Sequence, residues 1–197
     1  MSNCNYPSSL ITPAMSKVEE LTLSSVLSLF SANGLYTILY SWLFGMSVWI
    51  TFFGGIIAFK TLPRQQFGNL QHKTFPIYFV LSISIVSSLL VLWTFSHPDV
   101  LTYYDRPLVA DVSQFYLLIS VLMSQGTNYF VIGPMTSKTM FERHRLEKEE
   151  GKVYNEPGVS DAMKALNKRF GALHGVSSLF NLWSVIAIAM HGLYIGN

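Results

Sequence analysis

Polar side chains set into apolar stretches are the groups that could do chemistry in this chain. His174, Ser177, Ser178 and Asn181 recur at i, i+3, i+4 and i+7, the spacing of one helix face. Thr51, Ser82, Gln125 and Asn128 stand in three other stretches of the same apolar character. Measured from the ends nearest the basic connections at 1.5 Å per residue, Asn128 and His174 lie about 6 Å in, Thr51, Ser82 and Gln125 about 11 Å, and Asn181 about 16 Å. Four stretches thus offer polar groups at related depths. This predicts one polar cluster in that half of the molecule, with the His174 to Asn181 stripe turned inward to find hydrogen-bond partners. Three uses are open to it: hydrogen bonds that hold helices together, a site for a small molecule, ion or lipid headgroup, or catalysis with His174 as acid or base.

Other catalytic patterns are missing. Lys60-Thr61 follows Gly54-Gly55, but Phe59 precedes Lys60, so no G-x-x-x-x-G-K-[ST] phosphate loop is present. The five histidines have no close metal-ligand spacing, and Cys4 is the only cysteine, which excludes an internal disulfide or a Cys-rich metal site. His174 and Ser177 share a face without an acid to orient them. Neither metal nor cofactor is called for, nothing points to nucleic acid, and the reading is non-enzymatic.

The elements that must position these groups are membrane helices. Leu21 to Phe59 is 39 residues without Lys, Arg, Asp or Glu, and the whole chain is 50 % hydrophobic and 12 % charged, against about 25 % charged in soluble domains. A hydrocarbon layer of about 30 Å takes roughly 20 apolar helical residues to cross. Spans are read at 34–59, 75–95, 112–132 and 170–195. None holds a carboxylate that could relay protons or bind a cation, which disfavours ion-coupled pumping. Unpaired backbone cannot sit in lipid, so the fold class is all-α, a multi-pass transmembrane four-helix bundle with a short cytosolic helical connection between spans three and four. Residues 1–15 read as a mobile N-terminus and 16–197 as a single membrane domain. No cleaved signal peptide is read, so span one acts as the insertion signal.

The connections carry the charge. Lys60, Arg64 and Lys73 follow span one, and Lys138, Arg143, Arg145, Lys148, Lys152, Lys164, Lys168 and Arg169 follow span three. Only Lys17 and Arg106 fall on the other side. By the positive-inside bias the basic connections face the cytosol and both termini face away from it. Ser16 and Glu19 form a capping box for a helix that either lies at the interface or extends span one. After Thr61 and Pro63, which suit a helix start, Phe67 with Arg64, His72 and Lys73 suggests a short helix on the cytosolic membrane surface, its cations meeting lipid headgroups. In the 133–169 connection, Arg143 with Glu147 and Arg145 with Glu149 have i,i+4 spacing. Glu156-Pro157-Gly158 then breaks the helix, and Ser160 caps another running into span four. The segment is a solvated hairpin or a docking surface for a protein partner. Small residues four apart (Ser41/Gly45, Ser84/Ser88, Ser120/Ser124, Gly171/Gly175) suggest close helix packing.

Leu62-Pro63-Arg64, Phe67-Gly68, Gln71, Phe75-Pro76 and Tyr78-Phe79, with Pro134, Thr136, Met140, Glu147, Glu149 and Gly151, and with His174-Gly175, Ser177-Ser178 and Asn181-Leu182, resemble the transmembrane protein 205 family over residues 34 to 190. The resemblance implies a small four-span eukaryotic membrane protein of fungal type and brings no catalytic residues, since the family has no settled activity. The expected function is to organise or bind a lipid, small molecule or partner at the cytosolic half. The alternatives are a small-molecule transporter or efflux component, and an intramembrane enzyme using His174. Endoplasmic reticulum or another secretory membrane is the expected location. With no native N-x-[ST] sequon, acceptors engineered near residues 5, 102 and 155 should be glycosylated at 5 and 102 only; modification at 155 with none at 102 would reverse the orientation.

Overall fold

The computed structural model describes residues 21–196. The expectations for residues 1–15 and for the Ser16/Glu19 capping box fall outside them. Residues 21–31 belong to a unit of their own. There Thr22 caps α1 (Leu23–Ser28), its hydroxyl accepting the Ser25 N–H while the Ser25 hydroxyl accepts the N–H of Thr22.

The second unit begins at Ala32. α2 (Ala32–Val48) runs through a π-helical turn (Trp49–Gly54) into α3 (Gly55–Thr61). Leu62 is extended (φ −104°, ψ 143°), as a residue before proline must be, and Pro63 launches α4 (Arg64–Ser96). His97 stops α4 for the same reason, being followed by Pro98. A four-residue α5 (Asp99–Thr102) then leads to α6 (Ala110–Thr127), a second π turn (Asn128–Ile132) and α7 (Gly133–Glu150). These last three form one rod of 41 residues. Pro134 has no N–H and its ring crowds the carbonyl four residues back. Directly before it the helix widens, and the Gly133 N–H bonds to the Asn128 carbonyl, five residues away. Gly151 ends α7 in the left-handed region (φ 65°), where glycine carries no Cβ penalty. Ser160 caps α8 (Asp161–Ile195) by accepting the Met163 N–H.

Among the described residues four helices are long and apolar enough to cross a membrane: Ala32–Thr61, Arg64–Ser96, Ala110–Glu150 and Asp161–Ile195. α2 packs on α4 and α8, and α6 packs on the same two, which closes a ring in which chain neighbours are also spatial neighbours. Leu43, Val86, Leu89, Leu118, Val121 and Ile188 fill its interior. Trp49, Val91, Phe130 and Leu179 face outward, as side chains in contact with lipid should. The four crossings and the helical connection match the expected fold class, with α7 continuing span three directly. At 1.5 Å per residue α4 is about 50 Å long and the α6–α7 rod about 60 Å, so both overrun a hydrocarbon layer of about 30 Å. The overhang lies at the charged end, where α7 packs on α8 and α4.

Three local expectations are corrected. Residues 64–73 are not a separate surface helix but the first turns of α4, and Thr61 closes α3 with its hydroxyl bonded back to the Ile57 carbonyl. Arg145 pairs with Glu149 at 3.4 Å, but Arg143 does not pair with Glu147, which is taken by Arg64. Three of the four small-residue pairs do not line helix contacts, for a Cβ added at Gly45, Gly171 or Gly175 meets nothing within 4 Å, and Ser41, Ser84 and Ser88 are exposed. Of those pairs only Ser124 is buried; Ser120 is half-buried and accepts the Trp183 indole N–H at 3.0 Å.

A Cβ at Gly133 would stand 2.7 Å from the Asn128 carbonyl oxygen. Gly133→Ala should therefore cost about 1–3 kcal/mol, as overpacking does, whereas Gly171→Ala should be neutral or stabilising by up to about 1 kcal/mol from helix propensity. Thermal unfolding of both variants in one detergent checks the order; equal loss would restore the small-residue interface.

Candidate functional site

All four crossings contribute to a buried polar cluster in the half of the bundle toward the charged end. On α4 the Tyr78 hydroxyl donates to Ser47 Oγ on α2 at 3.3 Å and accepts from Gln125 Nε2 on α6 at 3.5 Å. One turn further along, Asn128 Nδ2 donates to Asn181 Oδ1 and to the Ser177 carbonyl on α8, each at 3.3 Å. Ser47, Ser82 and Asn128 are fully buried and Gln125 is 1 % exposed. Around these bonds four buried polar atoms have no partner: Thr51 Oγ1, Ser82 Oγ, Gln125 Oε1 and Asn128 Oδ1. An unmet buried polar group costs about 1–3 kcal/mol, so four in one region require an explanation. Thr51 lies in the first π turn and Asn128 opens the second. Such turns shift the facing of the residues they carry and recur at functional positions.

Gln125, Asn128 and Asn181 thus take part in the bonded cluster, Ser177 joins through its backbone, and Thr51 and Ser82 stand one turn beyond Ser47 and Tyr78 with their hydroxyls buried. His174 and Ser178 do not. Both are exposed, and the His174 ring stacks on Phe170 with centroids 5.9 Å apart. The covered face of α8 runs through Leu173, Ser177, Phe180, Ser184 and His191. At 3.6 residues per turn this leaves His174 roughly 90° and Ser178 roughly 130° from its middle. The stripe is real, but α8 is rotated relative to it. Ser47 and Tyr78 were not anticipated; each sits one turn before an anticipated residue, Thr51 and Ser82, and that spacing was the available signal.

A second polar group, also unanticipated, closes the opposite end. His191 is fully buried, with Nε2 2.5 Å from the Tyr36 hydroxyl and Nδ1 2.9 Å from Gln114 Oε1. Trp93 packs on it edge-on at 5.0 Å and donates its indole N–H to the Asp111 carbonyl, whose side chain accepts from the Tyr194 hydroxyl. Here both imidazole nitrogens are engaged, which marks a structural joint. Its signal was the seven-residue step from Ser184 to His191.

The overhanging helices form a third arrangement. Arg64 pairs with Glu147, which also accepts the Tyr154 N–H at 2.8 Å. The Arg64 guanidinium lies 3.8 Å from the centre of the Tyr154 ring, and Arg143 lies 4.4 Å from that ring and 4.5 Å from Phe170. Asn167 ties the loop down through the Tyr154 carbonyl at 2.7 Å. Of the anticipated surface residues, Arg64 is therefore turned inward on α7, His72 bonds Ser137 at 3.0 Å and meets Phe141 edge-on, Phe67 packs on Phe59, and only Lys73 is simply exposed. Burial raises the Glu147 carboxyl, but the Arg64 and Tyr154 hydrogen bonds and the Arg64 charge outweigh it and hold the group below the usual range. Burial, seconded by Arg64, pushes the His144 imidazole down. Among the described residues no cluster of His, Cys, Asp and Glu could hold a metal ion.

Four crossings around a partly unsatisfied polar interior define a multi-pass integral membrane protein. A family profile described as a domain of unknown function (DUF4149) matches residues 38–145, and the chain belongs to that family. It is also 26 % identical over 174 residues to transmembrane protein 205 of Danio rerio, covering 82 % of this chain and 89 % of that protein, in keeping with the resemblance read from its motifs. No solved structure matches.

Glu147→Gln leaves Arg64 without its carboxylate and weakens the bond to the Tyr154 N–H, and should cost about 2 kcal/mol, while Arg145→Gln at the exposed pair should cost under about 0.5 kcal/mol. The lowered His144 stays neutral in the fold while the unfolded chain takes up a proton below its ordinary value of 6.5, so stability should fall as the pH drops below that value. The contribution of Glu147 is complete above its ordinary 4.5 and is lost as the pH falls through its lowered folded value. Unfolding midpoints from pH 7 to 3 should show the lower step vanish in Glu147→Gln; an unchanged profile would contradict the assignment.

Proposed function

We propose that this protein is a non-enzymatic binding protein of the membrane, which holds a small polar ligand in the cluster of Thr51, Tyr78, Ser82, Gln125, Asn128 and Asn181. The observation that carries the reading is the set of four buried polar atoms without partners, contributed by three helices. Helix-to-helix glue accounts for the bonds that are made, worth about 0.6 kcal/mol each in membranes, but not for groups left open at a cost. Gln125 Oε1 and Asn128 Oδ1 are acceptors and the two hydroxyls can donate or accept. The cluster therefore suits a neutral ligand rich in hydroxyl or amine donors, entering from the charged end.

Support for binding over passage comes from the other half of the bundle. Leu89, Val86, Leu118 and Val121 fill it, and the His191 joint closes the end. A transport path would have to open through both. Catalysis by His174 has no support in its placement, since the ring lies outside the cluster. The concentration of Lys and Arg supports a cytosolic charged end with both termini on the other side, in a membrane of the secretory pathway. The exposed side of α7 and its loop is the natural contact for a protein partner.

Thr51→Val and Ser82→Ala remove open hydroxyls without breaking a bond. Each should leave ligand-free stability in detergent unchanged or raise it by about 1 kcal/mol, while a small molecule that copurifies with the wild type, read by native mass spectrometry, is lost. Asn181→Leu removes one of the two bonds of Asn128 Nδ2 and should cost about 1–3 kcal/mol. Retention of the copurifying molecule by both hydroxyl variants, or its absence from the wild type, would sink the reading.

A further inference from the structure

The overhanging helices hold a cation that lacks a counter-ion. Arg143 is 6 % exposed, and its Nε is buried without a hydrogen-bond partner. No carboxylate among the described residues lies within ion-pair distance of it. Glu147, one turn away on the same helix, is committed to Arg64 and to the Tyr154 N–H. Two guanidiniums thus crowd the Tyr154 ring, at 3.8 and 4.4 Å, with one carboxylate between them. Contact with aromatic faces offsets part of the cost of desolvating a guanidinium but gives its N–H groups nothing to bond. Nε of Arg143 is buried and partnerless, and the two Nη atoms are not among the buried atoms without a partner.

A planar guanidinium with free Nη donors matches two oxygens of a phosphate. Phe170, under Arg143, stands at the start of the apolar part of α8, directly after Lys168 and Arg169. In a crossing helix, basic residues followed at once by an apolar run mark the headgroup level of a bilayer. We propose that Arg143, with Arg64 beside it, is the receptor for a phosphate group, carried by a phospholipid headgroup or supplied as free phosphate. The site lies outside the intramembrane cluster and does not depend on it.

The test uses the full chain in uncharged detergent, titrated separately with inorganic phosphate and with phosphatidic acid in phosphatidylcholine mixed micelles, and reads the unfolding midpoint. One probe should raise the midpoint saturably. A response to inorganic phosphate identifies the free anion, and a response to phosphatidic acid alone identifies the headgroup. Arg143→Gln should weaken half-saturation about tenfold or more, while Arg145→Gln, on the exposed side of α7, should match the wild type. If Arg143→Gln does not fold, Arg143→Lys decides, since it keeps the charge but loses the fork and should bind several-fold more weakly. No response of the wild type to either probe overturns the proposal, as does a wild-type response from the Arg143 variant.

Discussion

The structure depends first on a mismatch of length. Helices of 33, 41 and 35 residues cannot be contained in a hydrocarbon layer about 30 Å thick, so each must carry a section that answers to water. That section lies at one end of the bundle, where α4, α7 and α8 continue past their apolar parts side by side. Placed there, charged residues that would be costly in lipid become contacts between helices. Arg64 reaches Glu147, the 151–160 loop folds back through Tyr154 and Asn167, and Glu150 accepts from Ser160 to close it. An extramembrane platform arises without a separate domain, because the crossing helices do not stop at the membrane.

Within the lipid layer the opposite rule applies, since no water is available to complete a hydrogen bond. The two polar groups of the bundle answer it differently. Around His191 both ring nitrogens are engaged and Trp93, Tyr36 and Tyr40 pack against the ring. Around Gln125 and Asn128 the bonds are incomplete, although the side chains are as deeply buried. The contrast between them within one bundle is the physical ground for reading one as a joint and the other as a site.

Both π turns fall in crossings that feed the incomplete cluster. The second is tied to local chemistry: Pro134 cannot continue an ordinary helix unaided, and Gly133 supplies an N–H and the bare Cα that five-residue hydrogen bonding to Asn128 requires. Because Asn128 opens that turn, the backbone irregularity and the polar residue are one feature. A proline and a glycine at the edge of the apolar stretch therefore shape the cluster as directly as the side chains that line it.

By itself the sequence determined the solvent of this protein. Long uncharged runs, four of them, dictate four crossing helices, because backbone in lipid has no other way to bond itself, and Leu62-Pro63, His97-Pro98, Gly151 and Ser160 mark where helices stop and start. It also determined that Thr51, Ser82, Gln125, Asn128 and Asn181 lie in the same half of their spans, since depth follows from counting along a helix. What it could not determine was rotation. Whether His174 or Leu173 faces the interior depends on which neighbours α8 meets, and periodicity defines a stripe without saying where the bundle lies. The same gap hid Tyr78, Gln114 and His191, whose partners are 31 to 155 residues away, and it let Arg143 and Glu147 be paired by spacing. Only the tertiary structure brings Arg64, 83 residues distant, close enough to take Glu147, because competition between partners is settled in space.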